Sequence, residues 1–239
     1  QDLLPRSTPE AQGISSAHIR EFMDTLMRDP RTEIHSCIVM RHGHVVAEMY
    51  PQPWRKDYRH TMYSVSKTFT SVAVGMCIQD SLIALSDTIG KFISMPASAT
   101  RNVRAITVRD LLTMQSGIPV DTKMRMHETE WIKAYLHKKP TSLPGTRWAY
   151  DSIVTYLLSA IVQEASDMSL MSLLQERLFL PLGISDAAWE ESPEGVTCGG
   201  WGLYIRPEAM AKFGQLLLNG GTWNGVSLIP REWVGEMMK

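Results

Sequence analysis

Tyr63-Ser64-Val65-Ser66-Lys67-Thr68-Phe69-Thr70-Ser71, running on into Val72-Ala73-Val74-Gly75-Met76-Cys77-Ile78, is the stretch on which the reading of this sequence turns. At about 100° per residue, Ser64, Lys67 and Ser71 fall on one stripe of a helix, and Val65, Phe69, Val72, Ala73 and Met76 on another. One stripe suits packing and the other suits chemistry. A serine hydroxyl is a poor nucleophile until a base takes its proton, and one helical turn brings an amine within hydrogen-bonding reach of it. A first-turn position and burial both disfavour an ammonium, so the spacing predicts a lysine pushed towards its neutral, basic form. Backbone N–H groups at a helix start are unpaired, which puts Ser64 where an oxyanion is stabilised. The same spacing also arises by chance around solvated lysines, so the motif by itself leaves both readings open.

The surrounding composition narrows the classes. The chain has 239 residues, 44% of them hydrophobic and 21% charged, ordinary for a globular protein with a sizeable core. A formal net charge of -1 gives no electrostatic reason to expect nucleic acid or an anionic membrane surface as partner. Cys37, Cys77 and Cys198 are too widely spaced for a disulfide framework or a C-x-x-C site. No apolar run reaches the roughly 18 residues of a transmembrane helix, and no signal-peptide pattern is present. The first residue is Gln1 rather than methionine, which leaves export after signal removal as an expectation beside a cytoplasmic location. His42 and His44 flank a glycine turn with no further ligands nearby in sequence, so they read as solvated. Neither a metal nor an organic cofactor is expected.

Along the chain, residues 1–12 carry Pro5 and Pro9 and suit an irregular arm. Ser15 caps a helix with Ile19, Phe22, Met23 and Leu26 at helical spacing. Residues 36–40 and 45–50 read as two strands joined by a glycine-containing hairpin. Thr107 and Asp110 form a capping box for a short helix that Ser116-Gly117 ends. Residues 123–139 mix charges with Trp131, Ile132, Tyr135 and Leu136 in the manner of a surface helix. Pro144-Gly145 turns into a helix with an apolar face of Val154, Leu157, Leu158 and Ile161. Gly199-Gly200 reads as tight backbone packing, because the G-x-G-x-x-G spacing of a dinucleotide loop is absent. Pro207 opens a further helix that Asn219-Gly220-Gly221 closes, and Pro230 begins another.

Several segments in order resemble the serine β-lactamase-related hydrolases: class C β-lactamases, D-peptidases, related esterases and the 6-aminohexanoate-dimer-hydrolase type. The matching stretches are residues 63–71, Ile106-Thr-Val-Arg-Asp-Leu-Leu-Thr-Met-Gln-Ser-Gly117, Pro144-Gly-Thr-Arg-Trp-Ala-Tyr-Asp-Ser152, Leu180-Pro-Leu-Gly-Ile184, and Gly202-Leu-Tyr204 through Gly214 to Gly221. The resemblance implies an α/β (α+β) fold in one domain over 1–239. It has an antiparallel sheet flanked by helices and a helical subdomain at about 87–184. It makes Ser64 the acylated nucleophile, Lys67 its hydrogen-bonded activator and Tyr150 the tyrosine of the Tyr-x-Asn motif, which relays protons. Ser152 stands where that motif has asparagine and, with Gln115, is expected as a substrate-binding or supporting residue.

The implied reaction is hydrolysis of a small-molecule amide or ester through a Ser64 acyl-enzyme, with Ser152 weakening the case for β-lactam turnover. The family's third motif, Lys/His-x-Gly, is not reached before Lys239, so the expectation is a C-terminally incomplete fold lacking some strands. Two other readings stay open: a penicillin-binding-like receptor, and a non-catalytic binding module on the same fold. The sequence gives no oligomeric state.

Overall fold

In chain order the elements are α1 (Ser16–Arg28), β1 (Cys37–Arg41), β2 (His44–Met49), β3 (His60–Thr61), α2 (Ser66–Gln79), α3 (Arg101–Arg104), α4 (Val108–Leu112), α5 (Met124–His127), α6 (Trp131–Leu136), α7 (Ser152–Ser166), α8 (Leu170–Leu174), β4 (Ala188–Trp189), β5 (Leu203–Ile205), α9 (Pro207–Leu218), β6 (Thr222–Trp223), β7 (Val226–Ser227) and α10 (Arg231–Met237). They come from a computed structural model that describes residues 3–239; Gln1 and Asp2, the beginning of the expected irregular arm, lie outside the described residues. The architecture is mixed helix and antiparallel sheet. Among the described residues the strands are spread over three small sheets, β1-β2, β3-β5-β4 and β6-β7, rather than gathered in one.

The hairpins follow from turn chemistry. His42 and Gly43 (φ 50° and 78°) join β1 to β2, and Asn224 and Gly225 (φ 47° and 79°) join β6 to β7. Two consecutive left-handed residues give the twist that a two-residue hairpin needs. The N-terminal arm is irregular but fastened: Ser7 N–H donates to the Val45 carbonyl at 3.1 Å and Val45 N–H to the Pro5 carbonyl at 2.9 Å. Arg6 adds a two-pronged bond to Glu208, with both contacts at 2.7 Å.

At the centre α2 packs on α7, and α8 and α10 pack on α2. Phe69 stacks on Phe213 with ring centroids 3.9 Å apart. The two-stripe reading of α2 understates its burial, since Ser66, Thr70, Val74 and Cys77 are buried along with Phe69, Val72, Ala73 and Met76. Val65, expected on the packing stripe, is instead 45% exposed. It belongs to a 3-10 turn, Tyr63–Val65, that precedes α2. The tighter turn breaks the 100° rotation on which the stripe was drawn. α7 is buried from Ile153 to Val162, more fully than its single predicted face.

The capping box at α4 is present in full: Asp110 N–H donates to Thr107 Oγ1 at 3.2 Å, and Thr107 N–H to Asp110 Oδ2 at 2.9 Å. The surface helix expected over residues 123–139 is not formed. Glu128 is extended (ψ 148°), dividing the segment into α5 and α6, and Trp131, Tyr135 and Leu136 are buried. The reason lies outside the segment. Glu194 accepts from the N–H groups of Trp131 (2.9 Å) and Ile132 (3.3 Å), capping α6 from 62 residues away. The same carboxylate accepts from the Tyr156 hydroxyl at 2.8 Å.

The glycine pair is tight packing, as read. A Cβ on Gly200 would stand 2.4 Å from the Ser152 carbonyl oxygen, and one on Gly199 2.9 Å from the Thr155 carbonyl oxygen. Both contacts are with the backbone of α7.

Glu194→Ala removes a helix cap and one of the two hydrogen-bond partners of the Tyr156 hydroxyl, leaving Ser192 Oγ at 2.8 Å. The expected cost is about 2 kcal/mol, or a fall of roughly 4–8 °C in melting temperature for a chain of this size. A melt within a degree of wild type would refute the long-range cap. Gly200→Ala should cost about 1–3 kcal/mol through backbone overpacking. Gly214→Ala, at an exposed position in α9 with open space around it, should gain up to about 1 kcal/mol. Equal effects of the two substitutions in chemical denaturation would contradict the close approach.

Candidate active site

The Ser64 segment is held on both sides by β5. Met62 N–H donates to the Leu203 carbonyl at 2.7 Å, and Leu203 N–H donates to Ser66 Oγ at 3.2 Å. β3 pairs with β5 just before the segment, Thr61 opposite Tyr204. Between these staples Tyr63 adopts φ 43°, a region that bulky L-residues avoid. The chain thereby bends so that Ser64 stands exposed at the head of α2.

Lys67, half-buried one turn later, donates from Nζ to three oxygens: Ser64 Oγ at 3.1 Å, Ser152 Oγ at 3.0 Å and the Gly200 carbonyl at 2.6 Å. Three acceptors match the three N–H donors of an ammonium. The Tyr150 hydroxyl donates to Ser64 Oγ at 2.6 Å, and Lys67 Nζ lies 4.9 Å from the centre of the Tyr150 ring. Burial pushes the Tyr150 phenol up, but its bonds to Ser64 and Lys67 and the lysine charge outweigh it. The net result is below the ordinary tyrosine value.

Tyr150 arrives on a loop fastened to the end of α4. Gly145 N–H donates to the Gln115 carbonyl at 2.8 Å and Ala149 N–H to the Met114 carbonyl at 2.9 Å. The next residue, Asp151, caps α7 by accepting from Ile153 N–H at 2.9 Å. Burial pushes the Asp151 carboxyl up, against that bond and the Lys138 charge.

Of the residues anticipated from the sequence, Ser64, Lys67, Tyr150 and Ser152 are brought together from two segments of chain, 64–67 and 150–152. Gln115 is not brought into hydrogen-bonding contact with them among the described residues. Its side-chain carbonyl accepts from the Thr113 hydroxyl at 3.1 Å, and its backbone holds the Tyr150 loop. The Gly200 carbonyl was missed as a partner of Lys67, as was the Gly199 carbonyl, which accepts from Thr70 Oγ1 at 2.7 Å. The adjacent glycines were the only signal, and they announce close approach without naming the neighbour. Among the described residues no group of three or more His, Cys, Asp or Glu side chains is arranged to hold a metal. No helix among them is long and apolar enough to cross a membrane.

The arrangement sets the Ser64 hydroxyl between a phenol and an amine. Several known proteins are similar to this chain. The beta-lactamase of Escherichia coli (strain K12) is 28% identical over 170 residues, 66% of this chain and 44% of that protein. The 6-aminohexanoate-dimer hydrolase of Paenarthrobacter ureafaciens is 23% identical over 221 residues, 84% of this chain and 56% of that protein. The chain thus spans about half the length of these relatives, 44% and 56% respectively. Among solved structures, the octameric penicillin-binding protein homologue from Pyrococcus abyssi superposes with a TM-score of 0.74. It is 17% identical, with 95% of this chain and 60% of that chain covered. The family model described as Beta-lactamase matches residues 18–227, and the chain therefore belongs to the beta-lactamase family.

Proposed function

We propose that this protein is a serine hydrolase that cleaves a small amide or ester through an acyl-enzyme on Ser64, with Tyr150 as the proton carrier and Lys67 as its electrostatic support. The observation that carries the reading is the 2.6 Å contact between the Tyr150 hydroxyl and Ser64 Oγ, made beside the Lys67 ammonium. Lys67 uses its three donors on three oxygens, so it is better placed to stabilise an anion than to accept a proton. This shifts the base from the lysine to the phenolate.

In the first step Ser64 Oγ attacks the substrate carbonyl carbon while its proton passes to the Tyr150 phenolate. The Ser64 N–H, in the opening turn where backbone donors lack an intrahelical acceptor, favours the oxyanion that forms. Collapse of the tetrahedral intermediate breaks the bond to the leaving amine or alcohol, which takes the proton from Tyr150. Water then attacks the acyl-enzyme, giving its proton to Tyr150, and Ser64 is released with the proton returned. Ser152 accepts from Lys67 and fixes its position, the part an asparagine plays in the motif it replaces. Relatives named as a beta-lactamase and a 6-aminohexanoate-dimer hydrolase support amide chemistry. Small esters and amides, including peptides with D-residues, rank above β-lactams because of the serine at position 152.

On full-length protein, a fluorophosphonate probe should label Ser64, and Ser64→Ala should abolish both labelling and turnover. Tyr150→Phe should lower kcat by about 100-fold or more. If the phenolate is the base, activity rises with pH through the Tyr150 pKa, which lies below the usual tyrosine value, and is lost beneath it. That limb should vanish in Tyr150→Phe. Label found elsewhere than Ser64, or a limb that persists unchanged in Tyr150→Phe, would overturn the respective assignment.

A further inference from the structure

Phe22 (51%) and Tyr58 (44%) are exposed elsewhere in the molecule, but three strongly exposed aromatic rings gather around Ser64. Phe69, Tyr135, Tyr156 and Phe179 are at most 1% exposed, whereas Tyr63 is 72%, Trp148 61% and Tyr150 47% exposed. Tyr150 has a stated reason to face outward, since its hydroxyl meets Ser64. Tyr63 and Trp148 have none in the fold. The Tyr63 hydroxyl makes no hydrogen bond among the described residues, and its ring covers no core.

The backbone at Tyr63 sharpens the point. With φ 43° it occupies a conformation that glycine adopts freely and that a β-carbon disfavours. A glycine would make the same bend without strain, so the tyrosine is kept at a conformational cost for something its ring does. That ring is the chain neighbour of the nucleophile. Trp148 stands on the Tyr150 loop beside the site. It lies two residues before Tyr150, and their ring centroids are 6.4 Å apart at 50°. Val65, 45% exposed on the far side of Ser64 in the chain, adds an aliphatic surface. Any molecule acylating Ser64 must place the groups beside its carbonyl against this rim.

We propose that Tyr63 and Trp148 form an apolar clamp at the mouth of the site, selecting substrates that carry an aromatic or similarly flat apolar group next to the scissile carbonyl. The clamp rests on the acyl-enzyme reading above and adds a substrate class to it. Stacking and edge contacts with two rings favour flat apolar groups over short alkyl ones.

The test compares ethyl acetate, phenyl acetate and ethyl phenylacetate on full-length wild type, Tyr63→Gly, Tyr63→Phe and Trp148→Ala. Ser64 labelling by fluorophosphonate is measured in parallel. Taking each variant against wild type cancels the intrinsic reactivity of the esters. Tyr63→Gly and Trp148→Ala should lose about ten-fold more kcat/KM on an aryl ester than on ethyl acetate, mainly through KM. Tyr63→Phe should keep the wild-type ratio. A selective loss on phenyl acetate places the flat group on the leaving side, and one on ethyl phenylacetate places it on the acyl side. Tyr63→Gly relieves the backbone and Trp148 is mostly exposed, so melting temperatures should not fall. A labelled wild type that hydrolyses neither aryl ester, or variants with uniform or no losses across the three esters, overturns the clamp alone. A wild type left unlabelled at Ser64 overturns the hydrolase reading and the clamp with it.

Discussion

Lys67 Nζ is bonded to three pieces of chain at one point. It bonds to Ser64 on its own turn, to Ser152 at the start of α7, and to the Gly200 carbonyl on the loop before β5. A half-buried ammonium is stable only when its donors are satisfied, and losing one acceptor leaves a charge short of solvation. Each partner must therefore arrive within about 3 Å, the hydrogen-bonding distance for N–H to oxygen. Gly199 and Gly200 make this possible by letting their loop rest on the backbone of α7, where a β-carbon would collide. β5 continues from the same loop and staples Met62 and Ser66, so the loop that partners the lysine also positions the serine.

The polar point is rigid because apolar packing surrounds it. α2 and α7 lie against each other and are buried over most of their lengths; α2 starts one residue before Lys67 and α7 starts at Ser152. Helix starts are where side chains and backbone donors face outward together, so two buried helices meeting near their N-termini form a reactive end above a packed shaft. The Tyr150 loop lacks such a shaft. It is held instead by two backbone bonds to the carbonyls of Met114 and Gln115, just past the capping box that begins α4.

What the sequence made legible follows the range of the forces involved. Local features were readable: the Ser15 and Thr107 caps, the glycine hairpin at 42–43, and the helix that Pro207 opens. The contact between Ser64 and Lys67 was readable because their spacing is one helical turn. Tyr150 and Ser152 were found through the family resemblance, since an 86-residue separation from Ser64 carries no periodic signal. Features set by a partner distant in sequence were not readable. Glu194 divides residues 123–139 into two helices, and nothing within that segment indicates it. Val65 was misplaced for a smaller reason, because a 3-10 turn rotates faster than the helix assumed for it. Gln115 was grouped with the site by its motif, yet its backbone carbonyl is the part that bears on Tyr150.

The proton affinity of Tyr150 ties these levels together. Burial alone would raise it and make the phenol useless as a base near neutral pH; the Ser64 and Lys67 contacts reverse the sign. That reversal depends on distance, steeply for the hydrogen bond, which is lost within a fraction of an ångström, and more gradually for the lysine charge, whose effect falls as 1/r. Lys67 is kept at that distance by Ser152 and Gly200, which are kept in place by the packing of α7 and the glycine loop. A change that loosens α2 against α7 therefore acts on the proposed base even where it touches none of the reacting groups. Conversely, the outward-facing rings of Tyr63 and Trp148 make none of the hydrogen bonds in this chain of dependence, so the proposed clamp can vary while the proposed proton relay stays intact.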